Sequence, residues 1–172
     1  MNLKYSNIVY NDTANGQGMR ISFFVQGCPH HCKGCFNQES WDFNGGIEFT
    51  QDVLNEIMYV FSSFKEGYDG ITFLGGEPLA NLKLVNLIID KFKSKFPNKT
   101  IWIYSGWTYE EIIKDKNKLE TLSKCDVLED GKFEQDKRDV TLKFRGSSNQ
   151  RVINVRESLK QNKVVLWKEG EN

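Results

Sequence analysis

Short β-rich runs that stop at glycine or a polar turn, separated by helical apolar stripes, most narrowly limit what this chain can fold into. Ile21-Ser22-Phe23-Phe24-Val25-Gln26 is such a run, ended by Gly27; Ile71-Thr72-Phe73-Leu74 ends at Gly75-Gly76. Ile101-Trp102-Ile103-Tyr104 and the shorter Asp126-Val127-Leu128-Glu129 read the same way. Between them, Val53, Leu54, Ile57, Met58, Phe61 and Phe64 fall at helical spacing behind a capping Thr50. Leu84, Val85, Ile88, Ile89, Phe92 and Phe96 trace a second helix closed by Pro97-Asn98, and Thr108-Tyr109-Glu110-Glu111 has the form of a capping box. Val152–Val155 and Val164–Trp167 are two further strand candidates around a short helix. Strands alternating with helices across short connections predict an α/β fold, a mostly parallel open sheet with helices on its outer face.

In such sheets reactive groups collect at the carboxyl ends of the strands. Three loops fall there: the cysteine segment after Gly27, Gly75-Gly76, and Tyr104-Ser105-Gly106. One edge, one site. With 172 residues, 39% of them hydrophobic, and no repeat or linker, the chain is expected to be a single domain over 1–172. The 23 basic and 23 acidic side chains cancel, which argues against a protein built to grip nucleic acid. No apolar run approaches the roughly 18 residues of a membrane span, and Met1-Asn2-Leu3-Lys4-Tyr5-Ser6 lacks the apolar core of a secretory signal. The expectation is a soluble cytoplasmic domain.

Three of the four cysteines, Cys28, Cys32 and Cys35, crowd into one loop with the spacing C-x3-C-x2-C. A secreted disulfide scaffold spreads its cysteines; clustered thiols in a reducing compartment read first as metal ligands. Three thiolates suit iron–sulfur or zinc. On a four-iron cube they leave one iron without a side chain, an open corner that a small molecule can occupy, whereas a closed electron-transfer cluster uses four cysteines. The zinc alternative needs His30 or His31, the only histidines, to complete a Cys3His set. Cys125 precedes a strand start and is expected at the opposite edge of the sheet.

The cysteine loop after a first strand, together with Gly75-Gly76-Glu77-Pro78 after the next, resembles the radical S-adenosylmethionine superfamily. That resemblance implies a compact partial (β/α) barrel and a [4Fe–4S] cluster held by Cys28, Cys32 and Cys35. It implies S-adenosylmethionine as cofactor, with Gly75, Gly76 and Glu77 lining the pocket for the methionine ammonium. Gly-Gly suits that role physically, because it lets backbone approach a ligand closely. The superfamily's aromatic residue before the third cysteine is replaced by Gly34, and Phe36 follows the cysteine instead. The Gly34 backbone and Phe36 are therefore the expected adenine contacts, with Ser105 expected near the ribose or carboxylate.

Further segments narrow the likeness. Asn15–Arg20, Phe24–His30 and Gly34–Asn37 are similar to glycyl-radical activating enzymes. Ile101–Trp107, Leu128–Phe133 and above all Arg145-Gly146-Ser147-Ser148-Asn149-Gln150-Arg151 resemble the activases of the anaerobic (class III) ribonucleoside-triphosphate reductase. The likeness covers about residue 10 to residue 155, leaving 156–172 as a C-terminal extension. It implies that reductase as protein substrate and an electron donor such as flavodoxin. Three other readings stay open here: a small-molecule radical enzyme such as a 7-carboxy-7-deazaguanine synthase, an activase of another glycyl-radical enzyme, and a non-enzymatic cluster or zinc protein. Arg145 and Arg151 are read either as ligands for a carboxylate or as surface charges, and Lys114-Asp115-Lys116-Asn117-Lys118 as a solvated helix end.

Overall fold

The computed structural model describes residues 3–171, so Met1 and Asn2 of the segment read for a secretory signal lie outside the described residues. The four expected runs form β2 (Arg20–Val25), β4 (Gly70–Gly75), β5 (Thr100–Tyr104) and β6 (Val127–Asp130), which lie side by side and parallel. Two elements flank this block. β1 (Lys4–Asp12) pairs antiparallel with β2, and β7 (Arg151–Asn154) pairs antiparallel with β6. A two-residue β3 (Ile47–Glu48) completes an open sheet in the order β3-β1-β2-β4-β5-β6-β7.

Side chains alternate across the strands and give the sheet two unlike faces. Ile21, Phe23, Ile71, Phe73, Ile101 and Ile103 point to one side and are fully buried. That side is covered by α1 (Gln51–Ser63) and α2 (Leu82–Lys95), whose Leu54, Ile57, Met58 and Phe61, and Val85, Ile88, Ile89 and Phe92, complete the apolar core. Each such side chain contributes about 1.5–3 kcal/mol by leaving water. Thr50 caps α1 by accepting from the Val53 N–H at 3.4 Å.

The opposite face carries Arg20, Ser22, Thr72, Trp102, Tyr104 and Glu129. Trp102 is 1% exposed, but it belongs to this polar face, wedged against Phe144 and Trp167 with ring centroids 5.1 and 5.0 Å away. Burial of this face is completed by the chain after residue 161. Trp167 N–H donates to Val152 O at 2.9 Å, Leu166 bridges Ile153, and Gly170 N–H donates to Gln17 Oε1 at 2.8 Å. Val164–Trp167 is thus a single bridge rather than a full strand, following α5 (Val155–Gln161).

The Thr108 capping box forms as expected, but it opens only a one-turn helix, α3 (Tyr109–Ile112). Asp115, within the segment read as a solvated helix end, restarts the chain as the N-cap of α4 (Lys116–Ser123), accepting from the Asn117 and Lys118 N–H groups. Among the described residues no helix is long and apolar enough to cross a membrane.

Candidate functional site

Because β2, β4, β5 and β6 are parallel, their carboxyl ends open onto one edge, and a cavity of about 230 Å³ lies there. Cys28, Cys32, Cys35 and Phe36 line it from the loop after β2, Gly75, Gly76 and Glu77 from the turn after β4, and Ser105 from the turn after β5. Gly34 is not part of the lining; it sits behind the loop in the left-handed region (φ +75°) against Gln135. Cys125 is at the other end of the sheet, 5% exposed, where burial pushes its thiol pKa far up.

The first two loops are bolted together through backbone. The Gly76 N–H donates to Val25 O at 3.0 Å and the Glu77 N–H to Gly27 O at 2.8 Å. A Cβ on Gly76 would fall 2.5 Å from Gly27 O, so this approach is open only to glycine. Gly75 has φ +100°, which lets the chain reverse at the end of β4.

Glu77 is 1% exposed, and protein donors already surround its carboxylate. Oε1 accepts from the Leu79 N–H at 2.9 Å, while Oε2 accepts from the Gly106 N–H at 2.7 Å and meets His30 Nε2 at 2.7 Å. Of about four acceptor positions on a carboxylate, one remains. His30 also packs edge-on to Trp107, with ring centroids 4.6 Å apart, and His31 stacks on Trp41 at 4.6 Å and 12°. His30 is thus held by Glu77 while His31 lies flat on Trp41, and among the described residues no three His, Cys, Asp or Glu side chains converge on a single-ion site. A Cys3His zinc set requires such convergence. A cube spreads its cysteines over separate irons.

Burial raises the thiol pKa values of Cys28 and Cys32, most of it by desolvation. Deprotonation must accompany metal uptake in such a pocket.

Three further groups stand in the cavity wall: Tyr104, at the strand end already expected there, and Glu129 and Trp41, which carry no local sequence signal. Glu129 is 5% exposed and its carboxylate has no hydrogen bond among the described residues; burial, then Asp130 and Glu77, holds its pKa well above the usual carboxylate range. The Tyr104 hydroxyl and the Trp41 indole N–H are buried and likewise lack partners among the described residues. Buried polar groups are normally paired. Three orphans around one cavity mark a place shaped for a polar occupant.

The segment Arg145–Arg151 builds the far wall instead of presenting its charges. Gln150 Oε1 accepts from the Gly146 and Ser147 N–H groups at 2.9 and 3.0 Å, and its Nε2 donates to Gly131 O at 3.0 Å. Arg145 Nη1 donates to Gln150 O at 2.6 Å, and Arg151 pairs with Asp130 and Glu110. This wall places Phe133 against Phe36, ring centroids 5.5 Å apart, with the Arg138 guanidinium 5.0 Å from the Phe36 ring. Phe36 remains 63% exposed at the cavity mouth.

Comparison with known proteins follows the same outline. A family model described as a 4Fe-4S single cluster domain matches residues 14–153. The anaerobic ribonucleoside-triphosphate reductase-activating protein of Pasteurella multocida (strain Pm70) is 37% identical over 150 residues, 86% of this chain and 95% of that protein. The protein of the same name from Vibrio cholerae serotype O1 is 38% identical over 141 residues, covering 81% and 90%. That from Escherichia coli (strain K12) is 35% identical over 147 residues, covering 84% and 94%. With a single-cluster domain match over most of its length and relatives above 30% identity across nearly their whole chains, the chain belongs to the anaerobic ribonucleoside-triphosphate reductase-activating protein family.

Proposed function

We propose that this chain is a radical S-adenosylmethionine activase that installs a glycyl radical on an anaerobic ribonucleoside-triphosphate reductase. The observation that carries the reading is the cavity itself: three thiols, a Gly-Gly-Glu turn and three orphaned polar groups around one opening. A [4Fe–4S] cluster with S-adenosylmethionine bound here would supply one-electron reductive cleavage of a sulfonium and, through it, hydrogen-atom removal from a glycine of the reductase.

The protein's share is binding, orientation and exclusion of water. Cys28, Cys32 and Cys35 would each hold one iron, leaving the fourth for the cofactor's amino and carboxylate groups. The backbone of Gly75 and Gly76, which lines the cavity, with the last acceptor position of Glu77, suits the ammonium. His30 and the Gly106 N–H fix the Glu77 carboxylate so that it need not reorganise. Glu129, unpaired and facing the cavity, suits the vicinal ribose hydroxyls, with Tyr104 and the Ser105 hydroxyl beside it. Phe36 and Phe133 give the adenine an apolar rim. The four parallel strands and their helices would form the staved portion of the family's partial barrel, in a single domain working in the cytoplasm. A low-potential donor such as flavodoxin would approach the mouth, where Phe36 lies next to Cys35.

The open mouth of the cavity, where Phe36 is exposed, fits a protein substrate, because a docked partner would close it. Anoxic, reconstituted protein mixed with the reductase, S-adenosylmethionine and a reductant should give a glycyl doublet by electron paramagnetic resonance. Brown, fully loaded protein that cleaves the cofactor yet never yields that signal would overturn the assignment in favour of a small-molecule substrate.

A further inference from the structure

The indole N–H of Trp41 is enclosed and has no acceptor among the described residues, although its ring lines the same cavity as Cys28, Cys32 and Cys35. Indole is a donor only, so its partner has to be a lone pair supplied by whatever fills the cavity.

The backbone decides which occupant that is. The segment 35–41 is tied to the cysteine loop at both ends. Cys35 Sγ accepts from the Asn37 N–H at 3.4 Å, and Asn37 O accepts from the Ser40 N–H at 2.9 Å and the Ser40 hydroxyl at 2.6 Å. Ser40 O then accepts from the Gly27 N–H at 2.7 Å, and Trp41 O from the Cys28 N–H at 3.1 Å. From the side, the His31 ring stacks flat on the indole, and His31 is itself set in the left-handed region at φ +50°. Trp41 is therefore held in the frame of the thiols, not in that of the strand ends where Glu129, Tyr104 and Ser105 meet the cavity.

We infer that Trp41 is a positioning residue for the cluster: its indole N–H donates to a sulfur atom of the [4Fe–4S] group held by the cysteine loop and stabilises that group's reduced form. The inference rests on the proposed function for the cluster itself. Hydrogen bonds to cluster sulfurs raise the reduction potential, because the reduced cluster carries one more negative charge for the donor to meet. The Glu77 carboxylate, which also lines the cavity, acts in the opposite sense. Trp41 offsets part of its effect without adding a full charge.

The test compares wild-type protein with Trp41→Phe, which keeps a ring for His31 and removes only the donor. Both are reconstituted anoxically, their iron and sulfide are counted, and the cluster is titrated potentiometrically with electron paramagnetic resonance detection. The expected result is full iron in both and a one-electron reduction equilibrium about tenfold less favourable in Trp41→Phe, about 59 mV lower in midpoint, with unchanged S-adenosylmethionine affinity. An unmoved midpoint would overturn the inference, whether cofactor affinity falls (the donor then serves the cofactor) or not (a water then satisfies it).

If Trp41→Phe fails to load iron, the wild-type protein still decides. With ¹⁵N in its tryptophans, pulsed resonance on the reduced cluster should show a nitrogen coupling that survives in Trp107→Phe. No coupling sinks the inference while leaving the cluster in place. Wild-type protein that binds no cluster at this loop would sink the proposed function as well, and the iron count separates the two failures.

Discussion

Arg20 and Glu129 lie on the same face of the same sheet, both buried, and are treated in opposite ways. Arg20, at the amino end of β2, is fully enclosed and makes no ion pair among the described residues; burial lowers its pKa to about 10, against the pull of Tyr104, Asp69 and Asp126, so it stays charged at neutral pH. Every arm of its guanidinium is met: Nε donates to Thr72 Oγ1 at 2.8 Å, Nη1 to Gln17 O and Thr100 Oγ1, and Nη2 to Ile71 O and Thr100 O. The charge is spread over strands β2, β4 and β5 and ties them together. Glu129, at the carboxyl end of β6, has no side-chain hydrogen bond among the described residues, and burial, with Asp130 and Glu77 nearby, disfavours its charged form. A buried polar group left unsatisfied carries its full desolvation penalty. A saturated buried charge is part of the scaffold; a buried carboxyl without a partner marks where an outside molecule docks.

The sharpest break between scaffold and site is among the cysteines. Replacing any one of Cys28, Cys32 or Cys35 with Ala should abolish the glycyl doublet, while Cys125→Ala, buried at the far end, should keep its iron and its signal. A Cys125 variant that lost its cluster would mean that a fourth thiol reaches the metal after all.

Next in size is Arg20→Met. Stripping the donors from five hydrogen bonds should cost about 3 kcal/mol or more in urea unfolding of the metal-free protein. Glu129→Gln should do the reverse: no loss of unfolding free energy, but about tenfold weaker S-adenosylmethionine binding by equilibrium dialysis, roughly 1.4 kcal/mol. If Glu129→Gln destabilised the fold and left binding intact, the contrast between the two residues would fail. The smallest effect belongs to the Thr108 capping box, where Thr108→Ala should lower stability by about 1 kcal/mol with the cofactor site unaffected.

The parallel block was legible because a strand buried on both faces must be apolar nearly throughout, as Ile21–Val25 and Ile71–Leu74 are, and because glycine marks where each one stops. β1 was not: Lys4–Asp12 is an antiparallel flank with most residues half-exposed, so Asn7 and Asn11 interrupt any apolar run. The helix that broke between Ile113 and Asp115 was hidden by lysines that fit a solvated helix as well as a new N-cap.

In the site, the cysteines and the Gly-Gly turn announce themselves through spacing. The neighbours of Glu77 do not, since His30 and Gly106 reach it from two other loops. Glu129 and Trp41 stand out only once the absence of a partner can be seen, and that is a property of space, not of order along the chain. The charges of Arg145 and Arg151, which invite a ligand when read alone, are spent inside the protein on the wall they build.

That wall has a second owner. Phe144, in the left-handed region at φ +61°, is gripped between Trp102 of β5 and Trp167, with centroids 5.1 and 5.8 Å away. The rim of the cavity and a residue more than twenty positions downstream thus share one aromatic joint. The cavity wall therefore leans on packing supplied by residues well downstream of it, and not on its own loop alone.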